Sequence, residues 1–348
     1  MAEKYSWLQR QRKPALLTGL SVLICMPGQA QQTASTIPPP SLAPAIKPLL
    51  VGYVPAYNGS SLAGSITGLD LSRITHLNIA FGNPPQCSGP CTAQSDMTFS
   101  LHGQSDPDID AFVAAAHTAG VKVLLSIGGG GGDQRIIQFY NVGLSAPLVA
   151  SLDKFARAHQ LDGVDLDIED PSNMGAPFAT LVSTLTSTFH PEGKVVTAAV
   201  APYLQGSMPD AALHQFDFIN VMSYSSCAAA VNALQFYAQN KKVSKNQIVL
   251  GVPFFASNSG DSKEEDYGKV LAAYPNAWRV DTVGGGALDD GQAFSYVGEG
   301  TMAQETQLGR QYGGIMIWEM MGDAPSPHSL LKVIEQNIDS PAGVAAIR

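Results

Sequence analysis

Residues 162–169 read DGVDLDIE. In an extended strand successive side chains alternate, so Val164, Leu166 and Ile168 take one face and Asp165, Asp167 and Glu169 the other. An apolar row backing an acidic row suits a strand with helices against one face and an enclosed lumen at the other, as in a parallel barrel. Enclosed carboxylates are costly, because each loses hydration and repels the next, so no stability argument asks for them. Same-face neighbours stand about 6–7 Å apart along a strand, close enough for their titrations to couple and for one to keep a proton near neutrality, as a general acid requires. Glu169 falls at the C-terminal end of the strand, where barrel active sites gather. Two alternatives are a chance acidic loop and a Mg²⁺ or Ca²⁺ site. The unbroken apolar alternation weighs against the first, and the origin of all three acids on one strand against the second, since chelation draws ligands from several segments. No metal and no cofactor is expected.

Outward from this segment, short β-branched runs recur at 49–54, 74–81, 121–127, 194–200, 216–224, 247–255 and 313–319, making eight strands with 162–169. Helical patterns lie between them at 108–119, 146–159, 176–189, 228–239 and 264–273. A last helix is expected over 327–337, with Ser326 as N-cap and Pro327 in the first helical position. Eight βα units in about 290 residues predict an α/β fold of the (β/α)8 TIM-barrel type, with a doubly wound open sheet as the alternative. GGG and DDG turn signals within 278–297 predict a hairpin in the seventh loop. The run Gly128–Gly132 completes neither a Walker A motif nor a GxGxxG fingerprint, so a crowded βα loop is expected there.

The 348 residues are 45% apolar and 14% charged, ample for one large core. At the N-terminus, Lys4, Arg10, Arg12 and Lys13 precede an apolar stretch at 15–26, and Gly28 and Ala30 are small residues of the kind that flank a cleavage site. This predicts a signal peptide over 1–30, a Pro/Ser/Thr-rich linker over 31–47 and a catalytic barrel over 48–340. The stretch at 15–26 falls short of the roughly 20 residues a membrane span needs. Ile24 before Cys25 does not suit a lipobox. A secreted or periplasmic location is therefore expected, with no stable membrane insertion after cleavage. Cleavage removes four basic residues and Glu3, taking the net charge from −9 to −12. A nucleic-acid partner is not expected, because that needs a basic footprint to displace phosphate counterions. In an oxidising compartment Cys87 and Cys91, in CSGPC, are expected to pair, and Cys227 to remain an unpaired, buried, small apolar residue.

Asp162, Asp165, Asp167 and Glu169 reproduce the DxxDxDxE signature of family 18 glycoside hydrolases, the chitinases and their relatives, and Ser126, Ile127, Gly128 and Gly129 its SxGG motif. The chain resembles that family from about 49 to 323. Met222, Ser223 and Tyr224 are similar to its MxYD, and Trp318 in GGIMIWE stands where the family keeps a tryptophan under the reacting sugar. Tyr53 and Phe81 are similar to its first- and second-strand positions.

The resemblance implies retaining, substrate-assisted hydrolysis of a β-1,4 bond next to N-acetylglucosamine, without a protein nucleophile. Glu169 would be the acid/base and Asp167 the partner of the acetamido N–H, with Asp165 beneath it and Tyr224 donating to the acetamido oxygen. Trp318, Met222, Tyr53 and Phe81 would bind substrate, while Ser126 supports the acids and Asp162 is structural. The implied partner is chitin or another N-acetylglucosamine oligosaccharide, and a monomer is expected. Alternatives are an endo-β-N-acetylglucosaminidase acting on N-glycans and a non-catalytic chitin-binding lectin.

Two departures stand out. Ser225 replaces the family's aspartate after the tyrosine, which predicts activity shifted toward acid. The 57 residues between Phe255 and Gly313 are too few for the extra α+β domain of some relatives, predicting an open groove and endo-type cleavage. Trp278, Tyr57, Tyr203 and Phe255 are candidate rim aromatics for stacking on sugar.

Overall fold

The computed structural model describes residues 47–258, 263–284 and 293–339. The signal peptide, nearly all of the linker, Cys25 and the DDG turn lie outside the described residues. Eight parallel strands close a barrel: β1 (Leu49–Pro55), β2 (His76–Ala80), β3 (Lys122–Gly128), β4 (Gly163–Asp167), β5 (Val195–Val200), β6 (Phe218–Met222), β7 (Ile248–Pro253) and β8 (Gly314–Trp318). Each pairs with the next, and β8 pairs back onto β1. All eight coincide with the β-branched runs, as expected where strands are covered on both faces.

The barrel has two apolar populations. Val164, Leu166 and Ile168 belong to the large cluster between strands and helices. Val51, Phe81, Val249 and Met316 form a separate cluster inside the lumen, with Met222, Tyr224 and Trp318 packed against it. A period of two thus feeds both cores from the same strands.

The helices are α1 (Leu62–Ile66), α2 (Asp106–Thr118), α3 (Gln134–Tyr140), α4 (Ser145–Ala158), α5 (Ala176–Phe189), α6 (Asp210–Leu213), α7 (Cys227–Gln235), α8 (Tyr267–Ala273), α9 (Glu299–Gly309) and α10 (Leu330–Ile338). None is long and apolar enough to cross a membrane. Three expectations are corrected. The helix expected from 264 begins at Tyr267, because Glu264–Asp266 pair as a strand with Phe255–Ser257. The segment expected at 228–239 is α7 followed by a π-helical turn, Phe236–Asn240. The last helix starts at Leu330 with Ser329, not Ser326, as its cap. Ser329 Oγ accepts from Lys332 N, and Asp323 accepts from Leu330 N at 2.8 Å and Leu331 N at 3.2 Å, so these acceptors set where the helix begins.

After β7 the chain forms a small antiparallel sheet that includes the expected hairpin, Thr282–Gly284 against Ala293–Ser295. Together with α8 and α9 it fills this stretch, with no large inserted domain among the described residues. Cys87 and Cys91 are joined by a disulfide, their Cα atoms 5.7 Å apart. Cys227 is buried at the start of α7.

One buried group bears on stability. Glu305, on the inward face of α9, is 1% exposed, and neither of its carboxyl oxygens has a hydrogen-bond partner. Burial, helped by the Asp281 carboxylate, pushes its pKa up to about 8. The folded state therefore holds a proton that the unfolded chain releases near pH 4.5, so stability falls as pH rises between the two values, by up to roughly 5 kcal/mol. Glu305→Gln is expected to melt near the wild-type temperature at pH 5 and several degrees above it at pH 9. Parallel melting curves at both pH values would count against this.

Candidate active site

Asp167 at the end of β4 and Glu169 just beyond it line a cavity of about 460 Å³ at the C-terminal end of the barrel. Asp165 is fully buried beneath it. Its Oδ2 accepts from the Tyr53 and Ser126 hydroxyls, each at 2.7 Å, and its Oδ1 from Thr197 Oγ1 at 2.6 Å and Asn220 Nδ2 at 3.4 Å. Ser126, Asp165 and Thr197 are register partners on adjacent strands and so form one layer of the lumen. Burial pushes the Asp165 carboxyl up and these donors pull it back, leaving a net upward shift. Four donors favour the ionised form of Asp165, so the proton shared along the row sits higher up.

Asp167 stands one layer above, 3% exposed, with Oδ1 buried and without a hydrogen-bond partner. Burial raises its pKa well above the usual carboxylate range, and the negative charges of Glu169, Asp165 and Asp133 raise it further. An uncharged carboxyl with an unsatisfied oxygen at a cavity wall is equipped to bind an incoming N–H. Glu169 lies two residues beyond β4 and lines the same cavity. Its Oε2 accepts from the Tyr203 hydroxyl at 2.7 Å, and its backbone N–H donates to Asp133 Oδ2 at 3.2 Å.

The glycine run lets this wall close. Gly128 has φ +98°, and a Cβ there would lie 2.1 Å from the Asp167 carbonyl oxygen. Only glycine suits both the left-handed backbone and the close approach. Asn83 fixes the loop, accepting from Gly128 N at 2.8 Å and donating to Gly128 O at 3.0 Å.

Trp318, half-buried at the end of β8, also lines the cavity. Phe81 stacks on its indole at 5.5 Å, and the Tyr53 ring is tilted against it at 5.4 Å. Met222 and Tyr224 complete this wall, the Tyr224 hydroxyl 3.8 Å from Met316 Sδ. Burial, then Asp167 and Glu169, raises the Tyr224 pKa well above the ordinary value for a phenol, so it is a neutral donor.

The family model of glycosyl hydrolases family 18 matches residues 49–323. The chain belongs to this family. A family 18 chitinase from Flavobacterium johnsoniae has a similar structure, with a TM-score of 0.70 at 25% identity, covering 84% of this chain and 94% of that one. A chitinase-like agglutinin from Robinia pseudoacacia shares the fold, with a TM-score of 0.64 at 18% identity over 83% of this chain and 99% of its own. Among curated relatives, a chitinase-like effector of Moniliophthora perniciosa is 35% identical over 107 residues, 30% of this chain and 23% of its own length. The acidic endochitinase SE2 of Beta vulgaris is 27% identical over 249 residues, 65% of this chain and 73% of its own. The chain spans about half or less of the length of the first curated relatives it matches.

Within this family 18 barrel, several residues stand elsewhere than their motif positions suggest. Tyr53, read as substrate-binding, is 1% exposed and bonded to Asp165, so it supports the acids from beneath the cavity. Trp278 is no sugar platform: His328 stacks on its ring at 4.6 Å and the Arg279 guanidinium lies over it at 4.4 Å. Phe255 packs edge-on against Tyr224 and borders a second cavity beyond Trp318, while Tyr57 lines both cavities. Asp162 is remote from the cavity, accepting from Val123 N at 2.7 Å and lying 2.8 Å from His117 Nε2, where it ties β3, β4 and α2 together. Ser225 is exposed. Among the described residues no group of three His, Cys, Asp or Glu side chains is placed to hold a metal ion.

Three participants, Thr197, Asn220 and Asp133, have no role assigned from sequence, and a fourth, Tyr203, is expected there only as a rim aromatic. Thr197 and Asn220 carried a signal, each being a lone polar residue inside an apolar strand. Asp133, 1% exposed, and Tyr203 belong to loops whose course no periodicity reveals.

Proposed function

We propose that this family 18 barrel is a secreted chitinase that cleaves β-1,4 bonds of N-acetylglucosamine polymers with retention, the substrate's own acetamido group acting as nucleophile. The observation that carries the reading is the graded acid row: Asp165 held ionised by four donors, Asp167 uncharged with a vacant acceptor, and Glu169 at the cavity wall. Glu169 gives its proton to the glycosidic oxygen as that bond breaks. The acetamido oxygen attacks the anomeric carbon while Asp167 accepts a hydrogen bond from the acetamido N–H and Tyr224 donates to the acetamido oxygen; as the cationic oxazolinium forms, the Asp167 proton passes down to the ionised Asp165, leaving Asp167 as the counter-charge, and it returns when the ring opens. Water, deprotonated by Glu169, then opens the ring. Trp318, braced by Phe81, offers an apolar floor for the pyranose. Without a large inserted wall the groove suits endo-type cleavage.

The test is turnover of a chromogenic N-acetylglucosamine oligomer beside the same oligomer with free amines. The acetylated oligomer is expected to be cleaved at least about 10²-fold faster, since the amine removes the attacking oxygen. Equal rates would sink the acetamido mechanism, and release of dimers from one chain end alone the endo mode. Preference for a glycoprotein would turn the reading to an endo-β-N-acetylglucosaminidase. A second reading, a sugar-binding protein without turnover, is favoured by likeness to a chitinase-like effector and an agglutinin. Binding with no cleavage of any N-acetylglucosamine substrate would establish it.

A further inference from the structure

The family's aspartate after the sixth-strand tyrosine is Ser225 here, and it is exposed. The Glu169 carboxyl is held from the turn that follows β5: Tyr203 donates its hydroxyl to Oε2 at 2.7 Å. Tyr203 is rigidly carried. Pro202 opens a single 3₁₀ turn, Pro202–Leu204, directly after β5, Leu204 N bonds Ala201 O at 3.0 Å, and the Leu204 side chain is fully buried. The ring is half-buried and lines the cavity with Glu169.

We propose that Tyr203 is the positioning residue for the acid/base, an inference that rests on the hydrolytic reading above. By donating to Oε2 it makes that atom the acceptor oxygen of the uncharged carboxyl, so the proton is carried on Oε1. When that proton passes to the leaving oxygen, the same hydroxyl bonds the carboxylate left behind. When water attacks the oxazolinium carbon, its proton returns to Oε1 and the cycle closes.

The other charged and titratable groups around Glu169 act in both directions. Asp133 from the loop after β3, Asp167 and Asp165 from β4 and the adjacent Asp170 disfavour its ionisation. Arg135 from α3, which lines the same cavity, favours it, and Tyr224 after β6 is a neutral phenol. Tyr203 works with Arg135, because a donor to a carboxylate stabilises its charged form.

The experiment measures kcat, KM, pH profile and melting temperature for wild type and Tyr203→Phe on a chromogenic N-acetylglucosamine oligomer. Loss of a hydrogen bond to a charged group predicts a kcat about 10–100-fold lower with KM nearly unchanged. The alkaline limb of kcat/KM is expected about one pH unit higher, since Glu169 keeps its proton longer without the donor. A profile that coincides with wild type, or a loss confined to KM as for a sugar-stacking platform, would overturn the proposal. A loss of kcat accounted for by a lowered melting temperature, with the limb unmoved, would also overturn it. Wild type inactive on every such substrate would instead remove the hydrolytic reading, which separates the two failures.

Discussion

Replacing Glu169 by glutamine is expected to lower turnover of N-acetylglucosamine oligomers by about 10³-fold while leaving oligomer affinity within a few-fold of wild type. The amide matches the carboxyl in shape but has no proton to give to the glycosidic oxygen and cannot deprotonate water in the second half of the reaction. Glu169 is 7% exposed, so bulk water has poor access to substitute for it. The Tyr203 hydroxyl can still donate to the amide oxygen, so the side chain is expected to keep its place. Steady-state kinetics with a chromogenic oligomer, and titration calorimetry with an uncleaved one, separate the two effects. Equal turnover by wild type and variant would remove Glu169 from the mechanism.

Asp167→Asn is expected to lower kcat by about 10²-fold and to stabilise the fold at the same time. An asparagine can still accept from an acetamido N–H, but it has no acidic proton to pass to Asp165 and so cannot become the anion that balances the oxazolinium. The stability effect has a definite sign. Burial, Glu169, Asp165 and Asp133 hold the Asp167 pKa well above the usual carboxylate range, so the native state retains a proton that the unfolded chain has lost. Wild-type stability therefore declines as pH rises above the unfolded-state pKa, and asparagine removes that contribution. The variant should melt with wild type near pH 3.5 and clearly above it at pH 8. An inactive variant that gains stability at alkaline pH marks a residue retained for chemistry; one less stable than wild type at pH 8 would contradict this assignment.

The barrel strands were legible because parallel strands covered on both sides are short, β-branched and nearly free of charge. The helices were less so. α9 reads EGTMAQETQLG, and beside Met302 and Gly309 it buries Glu305 and Thr306, so its inward face leaves no apolar stripe to detect. Local rules point to a start of α10 three residues early, because Ser-Pro satisfies them, whereas the cap used includes Asp323, outside that local pattern. Trp278 looked like a rim aromatic on composition alone, and only the packing of His328 and Arg279 over its ring shows that the surface is occupied.

By itself the chain determined that three acids would share one face of a strand and that this face would be enclosed, because side-chain alternation is a property of the local backbone and the opposite row is apolar. The tertiary structure decided what each acid became. Tyr53 reaches Asp165 from 112 residues away, Thr197 and Asn220 reach it from two further strands, and Tyr203 reaches Glu169 from a loop. Closure of the barrel, its register and the course of its loops bring these groups together. These are long-range properties, and they turn three chemically similar carboxylates into an ionised anchor, an uncharged acceptor and a proton donor.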